Sequence, residues 1–434
     1  MDWQERGTVL DSNFPAANQP SYVMCLWQPK LAEYLLSRAR VHFILFDVEH
    51  VPPDPALLAR AASFRVVSNF NALEELAVIA ADLRLVDPAI EKVLSFAELS
   101  QLGAATVSAM LGLSVDPVGQ VAARDKRLMK QLVREADVRT ADFWSIRDPA
   151  DAAAVRLVAR RVAFPAVVKP AAGSGTEYTA RVADAAELSA FTERFASVPG
   201  LESRQLIVEE FVQGTEMHID AFWDGDQPTF FLVSEYLTPI LDTVSGDVIR
   251  GSRVLVRDEH VALYDGLLAM NRAVNDALGI SAERSVTHME AFRTPSGEVV
   301  FSEIATRIGG AWIPALLSQA LGGQDIWAAM ADALMDGKAP EISPTAPCLA
   351  GLNIRAREAG VITSLPSDEQ LLGTPGILDY EVRCEVGDEL MMDNASEMCV
   401  FVVIGADSPE QLDAYIKTAT QRIRVETRPF AESD

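Results

Sequence analysis

The 434-residue chain is poor in the residues that build cysteine-metal and disulfide frameworks. It has four cysteines, Cys25, Cys348, Cys384 and Cys399, and five histidines. No CxxC and no HxxxH spacing occurs, so neither a zinc site nor a disulfide framework is expected. No apolar run reaches the ~18 residues that span a bilayer. The start, MDWQERGTVLDSNFP, has no basic segment ahead of an apolar one, so no signal peptide is expected. Positive charge is also short: 37 Lys and Arg stand against 62 Asp and Glu, a formal net charge of −25. Phosphate backbones and anionic membrane surfaces both need clustered cations. The expectation is a cytoplasmic protein with reduced thiols, with neither nucleic acid nor membrane as a partner. There is no GxGxxG after the first strand-like run, which removes support for a dinucleotide site.

What is present is a large apolar fraction, 49%, and a length that suits two to four domains at roughly 150 residues each. Residues 1–20 read as loosely ordered. SYVMCLW, PKLAEYLLSRAR and VHFILFDV then give strand, helix and strand. RVVSN and NALEELAVIAADLRL repeat the alternation, which indicates an open, mostly parallel α/β sheet. A second unit starts near Asp116 with VAARDKRLMKQLVREADV, whose apolar spacing predicts one helix. Strand-like ADFWSI, AFPAVVKPA and QLIVEEFV follow, and MHIDAFW and PTFFLVSEYL flank a turn at Asp224-Gly225-Asp226. A long helix spans Asp258–Leu278. GKAPEISPTAP (Gly337–Pro347) has the composition of a linker, and beyond it a small β-rich unit is expected. The domain division is therefore 1–115, 116–337 and 338–434.

Three stretches carry chemistry. In AFPAVVKPAAGSGTEYT, Lys169 ends a strand and small residues follow, which lets backbone N–H groups wrap an anion. By itself the stretch is equally an ordinary flexible turn beside a surface lysine. In QLIVEEFVQGTEMHID, Glu209 and Glu210 close an apolar strand, which alone is a solvated strand end. Yet a strand running into Phe211-Val212 also suits an adenine-binding hinge, with a following carboxylate, Glu216, for ribose hydroxyls.

The third stretch is VTHMEAFRTPSGEVVFSEIATRIGG. It predicts a β-hairpin around Pro295-Ser296-Gly297-Glu298. With Ser296 and Gly297 central, Glu290 faces Glu303, and directly opposed side chains sit about 5 Å apart and repel if alike. Two such carboxylates suit Mg²⁺, which takes one or two carboxylates and fills its shell with phosphate and water. Glu303, Ala305 and Arg307 share one face by alternation, which adds a fixed cation for a transferring phosphoryl group. Gly309-Gly310, opening a helix, would offer N–H donors to an anion. His288 is read first as a packing residue, and second as an amine-binding residue or base. His218 is read as packing more firmly still.

Order and spacing of these pieces resemble the ATP-grasp superfamily of carboxylate–amine ligases over roughly residues 20–430. The pieces are Asp125-Lys126, Lys169-Pro170 with its Gly/Ser loop, Glu209-Glu210-x-x-x-Gly214-x-Glu216, and Glu290…Glu303-x-x-x-Arg307-x-Gly-Gly. EIATRIGG with HMEAF looks most like the amino-acid (dipeptide) ligase and carnosine-synthase branch. The resemblance implies an α/β ATP-grasp fold: a Rossmann-like N-terminal domain, a central α+β domain in two subdomains and a β-rich C-terminal unit. It also implies ATP with one or two Mg²⁺, Mn²⁺ being a substitute. Lys126 and Lys169 would hold phosphates under the loop Ala171–Thr176, with Ser174 and Gly175 at its tip. Glu209, Glu210, Phe211 and Val212 would form the adenine hinge, and Glu216 would take the ribose. Glu290 and Glu303 would be metal ligands. Lys169 and Arg307 would be the catalytic pair, with His288, Arg307, Gly309 and Gly310 facing substrate. Ala305 stands where many members carry Asn, which leaves a second metal one ligand short.

The implied reaction joins a small carboxylic acid to the amine of an amino acid through an acyl phosphate, in a homodimer. Two other readings are a bicarbonate-activating carboxylase of the same superfamily and a non-catalytic nucleotide-binding protein. The substrate loops are placed around Ser234–Arg253, where Asp242, Asp247, Arg250 and Arg253 permit a charged or zwitterionic substrate.

Overall fold

The computed structural model describes residues 19–47, 51–113, 115, 117–173, 175–201, 203–244, 248–280, 284–391 and 397–430. Residues 1–18, expected to be loosely ordered, and the boundary residue Asp116 lie outside them. The N-terminal part is a four-stranded sheet in the spatial order Ser63–Val67, Arg40–Phe46, Ser21–Cys25 and Ile90–Ser95, with every pairing parallel. The parallel sheet expected from strand–helix alternation is therefore present. The strand Ile90–Ser95 and the helix Gln101–Leu111 were not anticipated. The strand is half polar (IEKVLS), which hides it from a search for apolar runs.

The helix expected over 121–138 is two helices, Pro117–Arg124 and Lys126–Glu135. Asp125 breaks the run because its carboxylate caps the second helix, accepting from the backbone N–H groups of Arg127 (2.9 Å) and Leu128 (3.4 Å). A short acidic side chain satisfies orphan donors there better than a continued turn does. The cap places Lys126 in the first turn. The buried face is Lys126, Met129, Lys130 and Val133. That i, i+3, i+4, i+7 spacing lines one side of a helix, and here two of its four members are lysines.

Two antiparallel sheets follow. The smaller runs Phe143–Ile146, Leu206–Glu210, Ala166–Pro170, Ala180–Val182. The larger has eight strands: Val299–Ala305, Ser285–Arg293, Thr215–Asp224, Gln227–Tyr236, Gly251–Val254, Cys348–Ile354, Val400–Ala406 and Ile377–Val382. Its last three strands come from beyond the linker at Gly337–Pro347. The β-rich unit expected there thus extends the central sheet instead of forming a separate one, with a further three-stranded sheet of its own.

The hairpin reaches its expected pairing by a different route. Glu290 does lie opposite Glu303, but Arg293 pairs with Val299 and Ala291 with Phe301. The turn is one residue longer than read from the sequence: Thr294 N–H donates to the Glu298 carbonyl at 2.9 Å, and Gly297 sits at φ +86°. A β-bulge at Ser302 absorbs the extra residue and restores the pairing. Bulges of this kind commonly re-aim a side chain beside a site.

Glycine sets how closely the two halves of the large sheet approach. A Cβ on Gly251 would collide with the Gly351 carbonyl oxygen on the neighbouring strand, whereas one on Gly266, mid-helix in Val261–Ala277, meets nothing within 4 Å. Gly251→Ala is expected to destabilise the fold by about 1–3 kcal/mol. Gly266→Ala is expected to stabilise it by about 0.5–1 kcal/mol through helix propensity. Denaturant midpoints of the two variants check both signs.

Candidate active site

The chain passes from the small sheet to the large one through Phe211–Gly214. A cavity of about 630 Å³ opens where the two sheets face each other. It is lined by the apolar Val167, Phe211, Val212, Ile240, Phe292 and Phe301 together with the charged Lys126, Lys130, Lys169, Glu209, Glu290 and Glu303. Apolar walls that also carry lysines and carboxylates suit a planar base joined to a polyphosphate. Gly214 is required at the crossing, since a Cβ there would strike the Arg293 carbonyl. Arg181 lies 4.0 Å over the Phe211 ring and closes that side.

Strand alternation explains the charged end. Leu206, Val168 and Val208 point into the small sheet's core, so Lys169 and Glu209 emerge on the opposite face, toward the cavity. Lys169 pairs with Ile207 and Val167 with Glu209, which makes Lys169 and Glu209 diagonal neighbours. Lys169 Nζ is 3.4 Å from Glu209 and 3.0 Å from Glu303. Lys126 donates to the Gly173 carbonyl at 2.7 Å and lies 3.8 Å from Glu303. Lys130 donates to the Ser302 carbonyl at 2.6 Å, within the bulge, and stands 3.4 Å from Glu209. Burial opposes charge on Glu303, but Lys126, Lys169 and Lys130 hold its carboxyl well below the usual range. Burial likewise opposes Lys169, while Glu209 and Glu303 keep it firmly protonated. Lys130 is pulled down from the ordinary lysine value, mainly by burial.

The sequence reading had omitted Lys130. Its spacing of four from Lys126 on the buried helix face was the available signal. Glu210 differs from its neighbour: its carboxylate accepts the Asp142 N–H at 3.2 Å and pairs with Arg139 at 3.3 Å. Its carboxylate is therefore already engaged within the protein. Gly175 lines the cavity, together with Thr176 and Glu177; Ser174 lies outside the described residues. Tyr178 is packed edge-on against Phe195, with ring centroids 5.7 Å apart.

A second cavity of about 180 Å³ adjoins the first and shares Lys126, Gly175, Thr176, Ile240, Glu290 and Glu303 with it. His288, Arg307 and Gly310 line it. Arg307 follows the end of its strand and donates to Glu98 at 2.7 Å, and Arg124 holds the other Glu98 oxygen at 2.6 Å. Glu98 and Arg124 had no local signal, because their partners are remote in sequence. Gly309 does not serve as expected. The helix begins at Ile313, and the Gly309 N–H donates to Asp220 at 3.3 Å. A Cβ on Gly309 would come within 2.8 Å of the His288 ring, so this glycine is a spacer.

Asp220 also accepts from His288 (2.9 Å) and His218 (2.7 Å), and His218 reaches Ser252 at 2.8 Å. His218, Asp220 and His288 are close enough to share a metal ion. Both His218 nitrogens are already engaged, however, and the trio forms a closed hydrogen-bond network. Burial opposes charge on His288, but Asp220 and Glu290 hold its pKa up at about 9.

Glu290 accepts from Tyr236 at 2.9 Å. Glu216 accepts the Ile240 N–H at 2.8 Å and is pushed up to about 8, first by burial and then by the negative charge of Glu290. This marks a local excess of negative charge. The Glu290–Glu303 pair offers hard oxygen donors beside it, so the residues fit a divalent cation such as Mg²⁺.

Residues 124–248 match the ATP-grasp (A) domain of phosphoribosylglycinamide synthetase (GARS_A), and residues 354–428 match L-amino acid ligase C-terminal domain 2 (LAL_C2). A solved L-amino acid ligase from Bacillus licheniformis superposes with a TM-score of 0.76 at 15% identity, covering 95% of this chain and 100% of that one. The chain belongs to the ATP-grasp superfamily. Another structural likeness is the biotin carboxylase domain of Hydrogenobacter thermophilus 2-oxoglutarate carboxylase, solved with MgADP, ADP and bicarbonate. It has a TM-score of 0.62 at 14% identity, covering 93% of this chain and 90% of that one. In sequence, the L-arginine-specific L-amino acid ligase of Bacillus subtilis is 27% identical over 200 residues. That match takes in 45% of this ATP-grasp chain and spans about half of the relative, 46%. No helix among the described residues is long and apolar enough to cross a membrane.

The sign of the Glu216 shift sets a pH dependence for the protein free of nucleotide and divalent ion. The unfolded chain ionises Glu216 near its ordinary 4.5, and the folded chain near 8. Its contribution to stability is thus full below about 4.5 and is lost as pH rises through 8. Thermal midpoints measured from pH 5 to 9 are expected to fall with pH more steeply in the native protein than in Glu216→Gln. Parallel curves would contradict the shift.

Proposed function

We propose that this ATP-grasp protein is an ADP-forming ligase that joins a small carboxylic acid to the amine of an amino acid. The observation that carries this reading is the continuity of the two cavities. The slot, with its apolar walls, lysines and carboxylates, shares Glu290 and Glu303 with a polar chamber lined by Arg307 and His288. The matches to L-amino acid ligases support the same reading. The division into parts 1–115, 116–337 and 338–434 belongs to this proposal, with the third part sharing the central sheet.

In this reading the base lies in the hinge slot against Phe211, Val212 and Phe301, and backbone groups at Glu210–Val212 read its edge. Glu216 accepts the ribose hydroxyls. Lys126 and Lys169 hold the phosphates and are themselves held by Glu303 and Glu209. Glu290 and Glu303 would hold a magnesium ion, which would supply neutralisation of phosphate charge. Arg307, kept charged by Glu98 despite its burial, meets the γ-phosphoryl group as the acid's carboxylate attacks it and ADP leaves. The acyl phosphate so formed is then attacked by the amine, and phosphate leaves. Fixed charge and positioning supply most of the catalysis in such a transfer. Gly173, Gly175 and Thr176, which line the slot, exclude water from the acyl phosphate.

ADP and phosphate release is measured with Mg-ATP and pairwise pools of carboxylic and amino acids. The native protein is expected to require both an acid and an amine. Glu303→Gln is expected to lose at least about 100-fold in rate, the scale of one missing electrostatic contact to a transition state, with an unchanged far-UV spectrum. Release with bicarbonate alone would move the assignment to a carboxylase, and normal turnover by Glu303→Gln would remove the hairpin from the mechanism.

A further inference from the structure

A third cavity, of about 530 Å³, lies on the far side of the polar chamber. Four arginines line it, Arg250, Arg355, Arg357 and Arg424, with Glu358 and Glu426. Four guanidiniums around one space are a concentrated cationic feature in a chain of net charge −25. Arg250 and Asn353 line both this cavity and the chamber that holds Arg307 and Glu303, and so form the wall between them.

Arg250 is built into that wall. It is only 4% exposed. Its Nη1 donates to the Glu397 carbonyl at 3.0 Å, and Asn353 donates to the same carbonyl at 2.7 Å. Its Nε is shut off from solvent and has no hydrogen-bond partner among the described residues. A buried N–H without an acceptor is costly and rare. Arg355 stands behind it, also buried, donating to the Thr243 carbonyl at 2.6 Å with Glu397 Oε2 4.0 Å away. Burial, and then the charge of Arg355, pull Arg250 down to about 10. An anion at this wall relieves the mutual repulsion of Arg250 and Arg355. Planar guanidiniums favour a planar carboxylate.

We propose that Arg250, supported by Arg355, binds the carboxylate of the amine substrate from the chamber side, so that the acceptor is an amino acid with a free carboxylate. The inference rests on the ligase reading and deepens it. With its carboxylate on Arg250, the substrate's amine points into the chamber where Arg307 and Glu303 stand. Simple amines and amino-acid amides lack the anchoring group.

The test offers each standard amino acid against its own amide as acceptor, with ADP release as the readout. The native protein is expected to prefer the acid by about tenfold or more, the scale of one charge-assisted contact. Arg250→Gln is expected to raise the KM for the amino acid about tenfold or more, with the KM for ATP unchanged, and to erase the preference over the amide. Equal use of acid and amide by the native protein would overturn the proposal, as would an unchanged amine KM in Arg250→Gln. If Arg250→Gln does not fold, Arg250→Lys takes its place, and a partial loss of the preference is expected. If no pair gives ADP release, the ligase reading fails separately. Saturation-transfer NMR with magnesium and a non-hydrolysable ATP analogue then reads the site directly. Binding of amino acids but not their amides, lost in the Arg250 variant, supports it; no discrimination overturns it.

Discussion

Two carboxylates on different sheets, Glu209 and Glu303, share Lys169 at 3.4 and 3.0 Å. This shared cation bridges the two sheets at the floor of the nucleotide slot. Lys130 repeats the link from the helix side, touching Glu209 and the carbonyl of the bulge residue Ser302. Ions in such a setting must be paired, because leaving one without its partner costs far more than the pair gains. The arrangement therefore fixes the separation of the sheets and the aim of the lysines together. An incoming polyphosphate would replace carboxylates as the lysines' partner, which frees Glu303 for other work.

Much of the central frame was legible in the sequence because it is local. Alternation and turn residues marked the strand pair around Asp224–Asp226, and the facing of Glu290 and Glu303 followed from the hairpin. The bulge was not legible, since a three-residue turn and a compensating extra residue give the same facing pair as a tight turn. The break at Asp125 could have been read from its capping chemistry, but an apolar period running through it concealed the break. Glu98, Arg124 and Asp220 could not be found locally, because each matters through a contact with a distant segment. Asp220 ties His218, His288 and the Gly309 backbone together, and so joins its own strand to both ends of the hairpin stretch.

The separation of roles along the cavities has a physical logic. The slot holds its cations in ion pairs with protein carboxylates, so charge there is balanced until a ligand rearranges it. The chamber beyond has Arg307 clamped by Glu98 and His288 clamped by Asp220, so its cations are fixed in direction. The first region can exchange partners, whereas the second is preorganised. Phosphate binding benefits from the former, and a reacting carbonyl from the latter.

The large sheet runs without interruption from strand Gly251–Val254 into Cys348–Ile354, across the point where the linker leaves and returns. Its hydrogen-bonded edge is thus completed by chain that lies some hundred residues downstream. A shortened protein ending at the linker would carry an open strand margin on Gly251–Val254, with the close approach of Gly351 lost. Such margins recruit other chains by edge-to-edge pairing. The C-terminal segment is accordingly also the cover that closes this strand margin to edge-to-edge pairing once its strands have emerged.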